Sequence, residues 1–375
     1  MTVLGALTVL IWLALLATGF WTTRENDEAA PRAAPARWPS VVAVVPARDE
    51  ADVIARSLAS LAAQDYPGDF RVILVDDNSG DGTGALARRL GSARITVRTG
   101  TPLPPGWTGK LWALSQGIPA AGAPDFLWLT DADIEHDPDT LRRLVEIAQA
   151  GNRKLVSFMA LLHCDTMPER PLVPAFIYFF KLLYPFGWIN RTRGLFSRWT
   201  GAAGGCVLVD RATLEAAGGI SAMRGALIDD CTLGALIKHH GPVWLGLSKR
   251  SRSIRPYRTA GEIAAMIARS AYAQLRYSPL LLLGTILGLA LVFAAAPALA
   301  LLAHGTARLL GALAWALMAL SWLPVLLWYR RSPLWAPLLP LVAGFYAGCT
   351  LASGLAFHRG KGGMWKGRAQ AMVHP

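Results

Sequence analysis

Two carboxylates, Asp131 and Asp133, close the stretch Phe126–Asp133, FLWLTDAD. A short apolar run bounded by polar residues reads as a buried strand. Such a strand delivers its last residues to the carboxyl edge of a sheet, where α/β folds bind ligands. Asp131 and Asp133 are two apart, so extended geometry predicts that they share a face. Carboxylates converging there repel unless a cation lies between them. Hard oxygen donors favour Mg²⁺ or Mn²⁺, and Mg²⁺ typically arrives with phosphates. A solvated turn, with Asp133 capping the next element, accounts for the same residues.

The surrounding elements must bring other groups to that edge. From Ser40 the chain alternates strand, loop and helix. SVVAVVP ends at Pro46 and runs into Arg48, Asp49 and Glu50. Ile54, Leu58 and Leu61 then keep helical spacing. RVILV ends in Asp76, Asp77, Asn78 and Ser79, and Asp81 or Thr83 would cap the next helix. RITVR precedes a loop rich in Pro, Gly and Trp, which ends at Lys110. A helix is expected from about Pro138, where proline suits a first turn. Alternating strands and helices predict an α/β fold with a largely parallel sheet. Three of its strands end in acidic clusters. Parallel strands point their carboxyl ends one way, so the repetition predicts one ligand site.

Composition adds a membrane. The 375 residues are 53% hydrophobic and only 17% charged. Uncharged blocks lie at Thr2–Trp21, Pro279–Ala303, Leu309–Tyr329 and Leu334–Phe357, each about long enough to cross a bilayer. The first has no basic n-region and no A-x-A site, so a retained anchor over 1–21 is expected. Residues 22–39, with three prolines, read as a linker. The domain plan is then a catalytic domain over 40–277, about three membrane helices over 278–357 and a basic tail over 358–375. Within the catalytic domain, apolar and aromatic residues over 171–190 read as an interfacial segment or as buried core. The formal charge of +12 carries no dense basic run with interleaved aromatics. It suits an anionic membrane and a phosphorylated substrate, not nucleic acid. With no Lys or Arg before the first block, the N-terminus is expected outside and residues 22–277 in the cytoplasm, in a multi-pass inner-membrane protein. The basic tail prefers the inside, which three spans do not allow. A re-entrant block broken at Pro297, Pro324 or Pro337 would reconcile the two. Cys164, Cys206, Cys231 and Cys349 lack metal spacing.

VVPARDE, VDDNSGDGT, Asp131-Ala132-Asp133 and Leu227-Ile228-Asp229-Asp230 together resemble the family 2 glycosyltransferases. The match runs from about Val41 to Tyr277. PGWTGK, ERPLVPAFIYFFKLLYPF, RSAYAQLRYSP and Trp365-Lys366-Gly367-Arg368 are most similar to the membrane-bound members associated with hopanoid biosynthesis. The resemblance implies a GT-A fold, a Rossmann-like mixed sheet, and an inverting reaction with a nucleotide-diphosphate sugar donor and a lipid acceptor. It implies that Asp49, Asp76 and Asp77 bind the nucleoside, with Ala47 and Arg48 lining the pocket through their backbone. Lys110 would pair with phosphate or stand solvated at a helix start. Asp131 would face the ribose, sugar or metal, and Asp133 the divalent cation, Mg²⁺ or Mn²⁺. Asp230 is implied as the base and Asp229 as its orienting neighbour, although either could take the proton. Capping of the helix Asp229–His240 also accounts for this acidic pair. Gly204 and Gly205, in GAAGG, would border the acceptor.

Gln274, Arg276 and Tyr277 are similar to the Q-x-x-R-W motif of processive members, with altered spacing and Tyr for Trp. Arg276 would hold a diphosphate or anchor the chain at the membrane surface. Two competing functions stay open on sequence: a processive polysaccharide synthase and a non-catalytic nucleotide-sugar-binding scaffold.

Overall fold

The computed structural model describes residues 1–365 and 368–371, with side chains to residue 363. The chain divides into two compact units. A helical unit comprises Met1–Thr23, Cys164–Pro185 and Pro256–Pro375, and an α/β unit comprises Arg24–His163 and Phe186–Arg255. The division differs from the plan expected from sequence, because residues 164–185 and 256–277 belong to the helical unit.

Among the described residues, the α/β unit holds one eight-stranded sheet. Its strands are β1 (Val41–Ala47), β2 (Phe70–Asp76), β3 (Ile95–Thr99), β4 (Phe126–Thr130), β5 (Ile134–His136), β6 (Leu155–Leu161), β7 (Cys206–Asp210) and β8 (Val243–Ser253). The order is β3-β2-β1-β4-β7-β6-β8-β5. The helices, in chain order, are α1 (Thr2–Ala17), α2 (Ile54–Ala62), α3 (Thr83–Arg89), α4 (Gly109–Ala120), α5 (Thr140–Ala150), α6 (Glu169–Leu183), α7 (Phe186–Ile189), α8 (Arg211–Ala216), α9 (Asp229–Lys238) and α10 (Ala260–Gln274). Three long apolar helices come after α10.

β1, β2, β3 and β4 run parallel, so the acidic ends of β1, β2 and β4 do share one edge. Ala47 stands opposite Asp76 in the register. β7 is antiparallel to both β4 and β6, β5 is antiparallel to β8, and β6 and β8 are parallel, so the sheet is mixed. β1 and β4 are buried along their whole length, as their unbroken apolar sequences require. Gly117 lets α4 lie directly on β1 and β2. A Cβ there would come within 2.5 Å of Val44 and 2.9 Å of Val75. Gly82, at φ 88°, holds the cap position of the helix after β2, and the Asp81 carboxylate accepts from Thr83 N at 3.0 Å at its start. Both side chains also reach the loop before α2, where Asp81 accepts from Ala51 N and Thr83 Oγ1 from Glu50 N.

The expected linker is partly folded onto the α/β unit. Asp27 is buried and accepts hydrogen bonds from Ser248 Oγ at 2.9 Å and Arg250 Nη1 at 2.8 Å. Arg143 donates to the carbonyls of Asp27 and Ala30 at 2.7 and 2.5 Å. No contacts of this kind are legible in a stretch of prolines and mixed charge.

In the helical unit, Pro279–Leu302, Gly305–Trp328 and Pro333–His358 are long and apolar enough to cross a membrane. α1 has 16 residues, or about 24 Å at 1.5 Å per residue, short of a ~30 Å hydrocarbon core. Trp12 packs edge-on against Phe293 and donates to Val292 O. Pro324 lies inside a continuous helix, so it does not break the second span. A π-turn at Ala290–Ala294 precedes Pro297, and Pro337 lies in a 3₁₀ turn. α6 buries Leu172, Val173, Ile177 and Tyr178, with Tyr178 bonded to Ser321 and edge-on to Phe20. Much of the apolar surface expected to face lipid over 171–190 is thus covered by other helices. Strands Gly362–Trp365 and Arg368–Ala371 pair in the tail; Lys366 and Gly367 of the motif there, and residues 372–375, lie outside the described residues.

Candidate active site

The end of β1 and the end of β2 form one wall of the site. Arg48 donates from Nη1 to Asp77 O at 2.6 Å, and the same nitrogen lies 3.7 Å from the Asp77 carboxylate. Arg48 is therefore engaged through its guanidinium, a role beyond the backbone lining expected of it. Asp49 has a left-handed φ of 51°. Its carboxylate accepts from Gly80 N at 2.8 Å, which ties the two loops together. Asp76 accepts from Ser79 N at 3.1 Å and is buried, as is Asp77. Ala47 ends β1 beside them. The predicted cluster of Ala47, Arg48, Asp49, Asp76 and Asp77 thus assembles.

Asp131 and Asp133 do not continue the extended strand from which a shared face is predicted. β4 ends at Thr130 and the chain turns, with Ile134 N donating to Asp131 O. The carboxylates meet different cations. Lys110 Nζ lies 2.8 Å from Asp131, and Arg255 Nε lies 3.2 Å from Asp133. Arg255 also pairs with Glu50. Among the described residues no cluster of three metal-ligating side chains forms. A cation held chiefly by donor phosphates needs only one or two carboxylates. Asp133 supplies a hard carboxylate oxygen of the type such an ion takes, and the Arg255 guanidinium is the cation it would have to compete with there.

Lys110 has a place not foreseen for it. Its ammonium bridges Asp131 and Asp229, at 2.8 and 3.0 Å. It thereby links the end of β4 to the start of α9. Burial alone would lower its pKa, but the charges of Asp131 and then Asp229 outweigh burial and hold it above the ordinary lysine value.

Asp229 and Asp230 occupy the first turn of α9, but the cap residue is Ile228. Neither acid is the cap itself, yet both lie in the first turn, where the positive helix end favours negative charge, as the capping alternative requires. Asp230 accepts from Gly204 N at 2.9 Å and Cys231 N at 2.8 Å. Burial pushes its carboxyl up to about 6, with the negative charge of Asp229 adding to the effect; Lys110 and the two backbone donors oppose it. The GAAGG loop is shaped to allow this approach. A Cβ on Gly204 would lie 3.1 Å from Lys110 Nζ and 3.3 Å from Asp230 Cβ. A Cβ on Gly234 of α9 would meet the Gly201 carbonyl carbon at 2.7 Å. Two glycines thus bring α9 and the loop into backbone contact. Gly205 faces Ile134 and accepts from Thr130 Oγ1 at 2.8 Å.

Two contributors carry no signal in the sequence. Arg255 comes after β8 and belongs to no motif. His136 is buried between Thr130 Oγ1 at 2.8 Å and Ser251 Oγ at 3.0 Å. Thr130 spends its single proton on Gly205 O, so His136 Nε2 carries the proton and Nδ1 accepts from Ser251. Burial, aided by Arg252, lowers this imidazole to about 3 and keeps it neutral. The chain Ser251–His136–Thr130–Gly205 fixes β4 against the GAAGG loop.

The ammonium of Lys110, Asp229, Asp230 and Gly204 share a recess with Leu111, Leu114 and other apolar side chains. Arg276 belongs to the helical unit. It lies two residues past the end of α10, with φ 52°. Gln274 there accepts from Tyr184 Oη at 2.6 Å, and Tyr277 stacks on Phe357.

Residues 42–217 match the model of Glycosyl transferase family 2. The β-monoglucosyldiacylglycerol synthase of Synechocystis sp. is 36% identical over 115 residues, which are 29% of this chain and 22% of that protein. The mannosyltransferase PcManGT from Pyrobaculum calidifontis, solved with GDP-Man and Mn²⁺, superposes with a TM-score of 0.54 at 20% identity, covering 95% of this chain and 98% of that one. The fold is GT-A, and the stretch that matches the family 2 model runs from β1 to the end of α8.

Proposed function

We propose that this protein is a membrane-bound inverting glycosyltransferase that moves one sugar from a nucleotide-diphosphate donor to the hydroxyl of a lipid. One observation carries the reading. A carboxyl pushed up to about 6, Asp230, lies in a backbone-lined recess of the unit whose sheet edge gathers Asp49, Asp76, Asp77 and Asp133. A base poised near neutrality is what hydroxyl activation requires.

The acidic loops after β1 and β2 suit the base and ribose, since carboxylates accept from imide and hydroxyl groups. Asp133 would hold Mg²⁺ or Mn²⁺ beside the diphosphate, with Arg255 as the neighbouring cation. When bound, such an ion offsets the charge that builds on the departing nucleoside diphosphate. Asp230 would take the acceptor proton as its oxygen bonds to the anomeric carbon and the carbon–diphosphate bond breaks. Asp229, Lys110 and Asp131 form the charge chain that positions this acid pair. Arg276 is proposed as a further diphosphate-binding residue.

The lipid acceptor is supported by the three long apolar helices and by a relative named as a glucosyldiacylglycerol synthase. A hopanoid or related isoprenoid lipid is the finer proposal, resting on the motif resemblance. The catalytic unit is proposed to face the cytoplasm, where nucleotide sugars are made.

Full-length protein in lipid nanodiscs, given labelled UDP- and GDP-sugars and a panel of lipid alcohols, tests the reading. A single-sugar lipid product is expected. Polymer would mean a processive synthase, and donor binding without transfer or hydrolysis would mean a scaffold.

A further inference from the structure

From the arginine-rich loop after α7, we infer a docking finger for anionic phospholipid surfaces, formed by residues 191–199. From Arg170 to Val209 the chain has no acidic residue, while Arg170, Lys181, Arg191, Arg193 and Arg198 are positive. The last three stand exposed on the loop RTRGLFSRW. Gly194 turns the chain at φ 89°, and Leu195 at the apex is 87% exposed. Beneath it Phe196 stacks on Trp188 at 4.1 Å, and Trp199 meets Trp188 edge-on at 5.2 Å. Trp199 itself is 41% exposed, and the Arg191 guanidinium lies 5.5 Å over the Phe196 ring.

The base of this loop is fastened. Lys238 Nζ donates to Ile189 O and Arg191 O at 2.6 and 3.0 Å, and Arg153 donates to Asn190 O at 3.0 Å. The Asn190 side chain exchanges two hydrogen bonds with the Leu245 backbone. An apolar tip on an aromatic platform, ringed by cations and held at its root, matches what an anionic interface rewards. Apolar and aromatic groups enter the headgroup zone while guanidiniums take phosphates in pairs. The loop itself carries no acid, which spares it the repulsion an anionic surface would impose.

This inference does not depend on sugar transfer, and its test reads position alone. Leu195→Cys is made in a Cys231→Ser background, because the other three cysteines are buried. It is spin-labelled in the full chain in nanodiscs containing about one-third phosphatidylglycerol. Ala93→Cys, an exposed site in the same unit, serves as control. The Leu195 label should be oxygen-accessible and shielded from a water-soluble nickel chelate, with the control behaving oppositely. Replacing Arg191 and Arg193 by Gln, or using phosphatidylcholine alone, should reduce the immersed population on the order of tenfold. A Leu195 label as open to the chelate as the control would overturn the proposal. Immersion indifferent to both the arginines and the lipid charge would overturn its anionic partner.

Discussion

Asp230 has neighbours of opposite charge, so two substitutions beside it should move the same titration in opposite directions. A base must be ionised to accept a proton. With its carboxyl pushed up to about 6, kcat/KM should fall as pH drops through about 6. Lys110 favours the ionised form and Asp229 disfavours it. Lys110→Met should therefore raise the acidic limb and Asp229→Asn should lower it. The size comes from Gly204, where a Cβ would lie 3.1 Å from Lys110 Nζ and 3.5 Å from Asp230 Oδ2. The charges are then within about 6.6 Å, worth roughly 2.5 kcal/mol at an effective dielectric of about 20, or nearly two pH units. Solvent reaches these partly exposed groups, which reduces the shift to about one unit. For Lys110→Met this means a roughly two- to tenfold loss at pH 7 that recovers by about pH 9. The assay is initial-rate kcat/KM from pH 5 to 9.5 with one donor and acceptor. Limbs that move the same way, or do not move, would refute Asp230 as the titrating base. Loss of activity at every pH in Asp229→Asn would transfer the role to Asp229.

Asp230→Asn should lower turnover by about two to four orders of magnitude with donor affinity kept. Because the folded state raises this carboxyl, its stabilising contribution is complete below the ordinary aspartate range and is lost as pH rises through about 6. Asp230→Asn should therefore not lower the melting temperature at pH 7.5, and a clear drop would point to a structural role. Arg255→Gln should tighten Mn²⁺ binding to nucleotide-free protein, read by electron paramagnetic resonance, because Asp133 and Glu50 lose a competing cation; unchanged or weaker binding counts against Asp133 as the ion's ligand. Gly234→Val should displace α9 from the GAAGG loop, costing about 1–3 kcal/mol in a melting experiment and most of the activity. Asp27→Ala should cost about 1–3 kcal/mol by leaving the buried Ser248 hydroxyl and one Arg250 nitrogen short of a partner, while Glu28 and Asp139 still hold the Arg250 charge; a neutral result would mean residues 24–31 do not stay on the α/β unit.

What the sequence determined was local and repetitive. Apolar runs ending at Ala47, Asp76 and Thr130 became parallel neighbours, because buried parallel strands demand unbroken apolar sequence and point their ends one way. The acids on those ends were legible for the same reason, as were the three long membrane-type helices. Tertiary structure decided everything that depended on which distant group arrived. Asp131 and Asp133 took different partners because the chain turns after Thr130 and each met its own cation, Lys110 from 21 residues before and Arg255 from 122 after. Asp27 was buried by Arg143 and Arg250, neither of which a prolyl linker announces. His136 gained its role only between β4 and β8. Lys110 changed from a helix-start residue to a bridge once Gly204 and Gly234 let α9 approach. Periodicity encodes which face of an element is apolar; it does not encode which charge from elsewhere in the chain will lie 3 Å away.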